Sequence, residues 1–130
     1  MYVTVEQILS SDGRYKAREK AAPQEVRDAA VRLALRLDQL FQNYEHDRPR
    51  ITSGYRTPAA NKAAGGAAKS AHLEGRACDF SDVDGSFAAW CLSHLYVLEE
   101  NNLWMEDPAY TKGWVHLQSR EVLGKRVFKP

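Results

Sequence analysis

The stretch Ser70-Ala71-His72-Leu73-Glu74-Gly75-Arg76-Ala77-Cys78-Asp79-Phe80 decides how this chain folds. Its first half ends a loop that Gly65 and Gly66 open and that runs through Lys69 and Ser70 to His72. Its second half, Arg76 to Phe80, reads as a short strand. Successive side chains of an extended segment point to opposite faces. Ala77 and Asp79 therefore share one face, and Cys78 and Phe80 share the other. The carboxylate has a small residue beside it, while the thiol and the ring turn toward a core.

Upstream, Ile51, Thr52 and Ser53 form a β-prone run that ends at Gly54, and Tyr55 to Pro58 turns the chain into a short helix over Pro58 to Ala64. Before a break at Asp47 to Pro49, Val26, Ala30, Leu33, Leu37, Leu40 and Tyr44 recur at spacings of three and four. That spacing predicts the main amphipathic helix, with Pro23 as its first residue. Arg27, Asp28, Arg32, Arg36 and Asp38 form its solvated face. A short helix over Val3 to Leu9 is expected to open at Thr4, whose hydroxyl can accept an amide of the first turn, and to stop at Ser10, Ser11, Asp12 and Gly13.

Downstream, Asp84, Gly85 and Ser86 read as a turn and an N-cap, and Phe87, Trp90, Cys91, His94 and Leu98 mark a second helix. Leu103 to Met105, Trp114 to Gln118 and Arg126 to Phe128 read as short strands, with Trp114, His116 and Gln118 on one face. The expected fold is α+β, a small, mostly antiparallel sheet with the Pro23 to Tyr44 helix packed against it.

A chain of 130 residues suits one domain. With 44% hydrophobic and 27% charged residues it has an ordinary globular composition, and no segment approaches the roughly 20 apolar residues of a membrane span. Met1 to Lys20 mixes Glu6, Asp12, Arg14, Lys16 and Arg18 with scattered apolar residues, unlike a secretory signal. The expectation is synthesis in the cytoplasm. A net charge of +1 with dispersed Lys and Arg gives no field to attract nucleic acid. Cys78 and Cys91 are expected to be buried thiols and not a disulfide. The oligomeric state is open, with a monomer favoured.

His72, Asp79 and His116 stand out chemically. Two imidazoles and one carboxylate suffice as protein ligands for a catalytic zinc, whose fourth position stays open for water. Spacing by itself leaves other roles open, because four histidines and 17 acidic residues give many such combinations. His72 could be a loop residue and His116 a satisfied strand histidine. Cys78 alternates away from Asp79 and is assigned to the core.

The motifs Ser53-Gly54-Tyr55-Arg56-Thr57-Pro58, Asn61 with Gly65-Gly66, Ser70-x-His72-x-x-Gly75-x-Ala77-x-Asp79 and Trp114-x-His116 resemble, in order, the zinc D-alanyl-D-alanine carboxypeptidase family. That family includes bacterial dipeptidases and carboxypeptidases acting on D-Ala-D-Ala, phage endolysins that cleave L-Ala-D-Glu and, by fold, the hedgehog signalling domain. The resemblance covers Ile51 to Gln118. It implies His72, Asp79 and His116 as zinc ligands, Arg56 as the residue that binds substrate or its developing oxyanion, and Ser70 as a residue of the substrate groove. Gly75 and Ala77 take structural places. Many members carry Glu or Asp three residues before the last histidine ligand as the catalytic base; here that residue is Gly113. Glu106 is the preferred replacement, with Asp107, before Pro108, read as a turn residue and Asp82 and Asp84 as cap or loop residues. The implied activity is zinc-dependent hydrolysis of peptidoglycan peptides by a phage or prophage lysis enzyme that meets the wall once released. The alternative is a zinc-containing module without catalysis that binds cell wall or belongs to a phage particle.

Overall fold

The computed structural model describes residues 2–10 and 22–130. Helix α1 (Val5–Leu9) opens at Thr4, where the Thr4 hydroxyl accepts the Gln7 amide at 3.2 Å and the Gln7 side chain accepts the Thr4 amide at 2.9 Å. This reciprocal cap satisfies two amide donors that helix geometry leaves free. The expected stop signal at Ser11 to Gly13 lies outside the described residues. Helix α2 (Gln24–Asn43) is the main amphipathic helix, and it buries Val26, Ala30, Leu33, Leu37 and Leu40 as the spacing predicts. Pro23 stands one place outside it: its backbone is extended, with ψ 156°, so it caps the helix and is not its first residue.

Five strands follow: β1 (Ile51–Ser53), β2 (Ala77–Ser81), β3 (Trp104–Glu106), β4 (Trp114–Gln118) and β5 (Val127–Phe128). They form one sheet in the order β1-β2-β4-β3-β5, antiparallel except for the β3–β5 pair. The α+β class and the mostly antiparallel sheet agree with the sequence reading. Helix α3 (Pro58–Ala63) is capped by the Thr57 hydroxyl, which accepts the Ala60 amide at 3.1 Å.

One face of the sheet makes the core. Cys78, Phe80, Met105, Val115 and Leu117 are almost fully buried and join one apolar cluster with α1, α2 and the helices that follow β2. Phe41 of α2 meets Phe80 of β2 edge-on at 5.5 Å and stacks on Phe87 at 5.6 Å, so aromatic contacts tie helix to sheet. Both cysteines are buried and unpaired.

The second helix differs from the sequence reading. It is two helices, α4 (Ser86–Ser93) and α5 (Leu95–Glu100), separated at His94, whose φ of −129° leaves the helical region. The Ser93 hydroxyl bonds the Ala89 carbonyl and His94 Nδ1 bonds the Trp90 carbonyl at 2.8 Å, which competes with continued helical bonding. Gly85, which occupies the N-cap position within the expected turn, has no side chain to cap the start. Buried Asp82 does so from a distance, its two carboxylate oxygens accepting the Phe87 and Ala88 amides at 2.9 Å each. Asp84 holds the turn by accepting the Ser86 amide at 3.0 Å. No helix among the described residues is long and apolar enough to cross a membrane.

Candidate metal centre

The polar face of the sheet collects the residues with chemical potential. Asp79 on β2 lies directly opposite His116 on β4, and Gln118 on β4 lies opposite both Ala77 and Trp104. Opposed residues of antiparallel strands project to the same side, so pairing alone puts the carboxylate beside the imidazole. His72 arrives from outside the sheet on a 3-10 turn, Ala71–Glu74, which the sequence reading treated as loop. Ser70 caps that turn, its hydroxyl accepting the His72 amide at 3.2 Å. Gly75 ends it in the left-handed region at φ 71°, and a Cβ there would come within 2.6 Å of the Val26 carbonyl of α2. A side chain at 75 would push the turn off the helix that seats it.

The three candidate ligands are buried, and one ligand atom from each lies within 4.8 Å of the others. His72 Nε2 is 3.2 Å from Asp79 Oδ2, and His116 Nδ1 is 2.9 Å from Asp79 Oδ1. The outward nitrogens are also held. His72 Nδ1 donates to the Gly54 carbonyl at 2.7 Å, and His116 Nε2 lies 2.7 Å from Gln118 Oε1. A backbone carbonyl only accepts, so His72 carries a proton on Nδ1, and Nε2, which faces the Asp79 carboxylate, is the nitrogen left to ligate a metal. Such outer partners are what metal-binding histidines need. Two imidazole nitrogens and a carboxylate oxygen, converging and oriented from behind, fit a divalent ion of the zinc type.

The Gly54 carbonyl is itself positioned from afar. The Tyr55 amide donates to the Ile8 carbonyl of α1 at 2.8 Å, and a Cβ on Gly54 would overlap that carbonyl. The N-terminal helix thus fixes the backbone that orients His72. The sequence offered the glycine as a strand end but no sign of this contact.

Charge follows the geometry. Burial works against ionisation of Asp79, but bonds from His116 and His72 and their charges outweigh it and lower the carboxyl to about 2. For His116, burial lowers the pKa, yet the hydrogen bond and charge of Asp79 raise it above the ordinary value.

Around the cluster lies a cleft of about 880 Å³ whose walls include Arg56, Ser70, Glu106 and Trp114. Arg56 is not an exposed turn residue: Nε donates to Ser53 Oγ at 3.1 Å, and Nη2 stands 3.5 Å from Asp79 Oδ2. Its Nη1 reaches Asn61 Oδ1 at 3.4 Å, and buried Asn61 donates to the Ala67 carbonyl at 2.8 Å. Gly66 packs so closely on Asn61 that a Cβ would overlap the amide, which explains the pairing of Asn61 with Gly66, while Gly65 has a left-handed φ of 72°. Glu106, at the end of β3, is half-buried on the cleft wall. Burial raises its carboxyl pKa, reinforced by Asp79 and opposed by His116 and His72. Asp107 accepts the Ala109 amide at 2.9 Å and caps a 3-10 turn, Pro108–Tyr110, as its turn reading requires. Gly113 has a φ of 84° with open space around it, so the chain turns there in a conformation that favours glycine. A second groove of about 1040 Å³, between Tyr44, Ser81 and Trp90, contains none of the candidate ligands.

A converging His-Asp-His set at the floor of a cleft, with an arginine and a carboxylate on its walls, is the layout of a metal-dependent hydrolase site. Residues 2–118 match the peptidase M15 family. The chain belongs to that family, and the match includes the N-terminal helices that the motif resemblance left out. Comparison with curated proteins finds no match.

Proposed function

We propose that this chain is a zinc peptidase that hydrolyses peptidoglycan peptides, of the D-Ala-D-Ala carboxypeptidase or L-Ala-D-Glu endopeptidase type, and that it serves in phage or prophage lysis at the wall once released from the cytoplasm. Membership of the peptidase M15 family supports peptide hydrolysis. The observation that carries the metal reading is the convergence of His72 Nε2, the Asp79 carboxylate and His116 Nδ1. His72, Asp79 and His116 would hold the zinc, which would supply Lewis-acid polarisation of a scissile carbonyl and activation of a water near neutral pH.

The chain's own residues do the rest. Arg56, held by Ser53 and Asn61, presents a planar, permanently charged donor to the substrate carbonyl or its developing oxyanion. Ser70 lines the groove where the peptide lies, and Glu106 takes the proton of the attacking water. A base must be ionised yet close enough in pKa to accept a proton, and the partial burial of Glu106 moves it in that direction.

Gly113 favours a second reading. With no carboxylate at the family's usual base position, the domain could be a zinc-containing module that binds cell wall, or part of a phage particle, without cutting. Digestion of purified cell walls separates the two. Hydrolysis releases new L-Ala-D-Glu ends or free D-alanine in a chelator-sensitive way; zinc-loaded protein that sediments with walls and releases neither product is the module.

A further inference from the structure

His116 has a second partner whose orientation is fixed by the fold. Gln118 is buried at 3% exposure, and its amide nitrogen donates to the Arg120 carbonyl at 2.8 Å. That carbonyl cannot donate, so the NH2 end of the Gln118 amide is committed to it and the oxygen end must face His116 Nε2, 2.7 Å away. An amide oxygen only accepts, so His116 keeps a proton on Nε2 in either charge state. Nδ1 donates to the Asp79 carboxylate at 2.9 Å, and it is the nitrogen whose lone pair becomes available when that proton leaves.

Arg120 is in turn anchored to the segment that delivers His72. Its guanidinium Nη1 donates to the Lys69 carbonyl at 2.8 Å and to Glu74 Oε1 at 3.0 Å, on either side of His72 in sequence. A continuous chain of bonds thus runs from the His72 turn through Arg120 and Gln118 to His116. Arg120 lies beyond the part of the sequence that matches the family.

We propose that Gln118 is a positioning residue that sets the tautomer and ring orientation of His116, making Nδ1 the ligating atom, and that Arg120 braces it by tying both histidine-bearing segments together. This rests on the metal-centre reading above. It differs from a packing role because it requires an acceptor at 118, not merely a side chain of that size.

The test uses zinc itself with the full chain. Nitrogen-15 NMR of the zinc-loaded wild type should show the His116 proton on Nε2 and the metal-shifted resonance at Nδ1. Gln118→Met keeps the length and removes the strong acceptor; zinc affinity should fall by about 10- to 100-fold, the usual cost of losing such an outer partner. Gln118→Glu restores an acceptor and should recover most of the affinity. A proton on Nδ1 in the zinc-loaded wild type overturns the proposal even if the Met variant does not fold, as does wild-type zinc affinity in folded Gln118→Met. Wild type that takes up no zinc overturns both this proposal and the metal-centre reading, whereas the other two results overturn this one alone.

Discussion

The two faces of one short sheet do different work with alternate residues of the same strands. On β2 and β4, Cys78, Phe80, Val115 and Leu117 are buried in the apolar core, while Asp79, His116 and Gln118 point the other way into a bonded polar cluster. The apolar face gains stability from area removed from water and from close packing, which any residues of similar shape could supply. The polar face depends on particular atoms facing particular partners. Because β2 and β4 pair without a break from Ala77–Gln118 to Ser81–Trp114, a slip of one residue would exchange the two faces and destroy both.

A change on one face should be felt mainly on that face. Phe80→Ala removes a fully buried ring that touches Phe41 and Phe87. It should cost about 3–5 kcal/mol in chemical denaturation. Zinc affinity of the folded fraction should stay within a few-fold of wild type. A large loss of affinity with little loss of stability would mean that the core face sets the site geometry directly.

A smaller effect is expected at the cleft wall. Glu106→Gln should keep fold and zinc and lower kcat about 100-fold, equivalent to about 2.7 kcal/mol in the barrier. Asp107→Asn, altering only a turn cap, should change kcat far less. Near-normal turnover by Glu106→Gln removes Glu106 as the base.

The smallest effect concerns pH. In metal-free protein the Asp79 carboxyl lies at about 2, below its unfolded value of about 3.9. Its contribution is therefore present above about pH 4 and lost as pH falls toward 2. His116 is raised from an unfolded value of about 6.5. Its contribution is complete below that pH and is lost as pH rises through the folded value. Chelated protein should thus be most thermostable between about pH 4 and 6.5. The stabilisation conferred by added zinc should grow in the opposite sense, as His116 gives up its proton at higher pH. A melting temperature of chelated protein that climbs steadily from pH 6 to 9 would show that the Asp79–His116 pair does not behave as its geometry requires.

Much of this was legible locally. The period-two alternation around Asp79 separated the two faces, the spacing from Val26 to Leu40 located α2, and Trp114 to Gln118 is a strand with the expected bounds. His72, Asp79 and His116 were found by residue chemistry and motif order, and the structure brings them together. What stayed hidden depends on contacts between residues distant in sequence. The Ile8 carbonyl beside Gly54 and Arg120 reaching back to Lys69 leave no periodic trace, and Asp82, expected as a cap or loop residue, gave no sign of which amides it accepts. The break at His94 escaped because apolar spacing continues from Phe87 to Leu98 while Ser93 and His94 bond backbone carbonyls. Gln118 was placed on the correct face, but its partner His116 lies two residues away on the same strand, and nothing in the spacing sets its amide orientation.

The most direct test of the polar face as a metal centre is metal analysis of purified wild type alongside folded His72→Ala, Asp79→Ala and His116→Ala proteins. The expected result is about one zinc per wild-type chain and loss of zinc from each variant, with circular dichroism unchanged. Full zinc occupancy in His116→Ala, or wild type that takes up no zinc from a zinc-containing buffer, would contradict it.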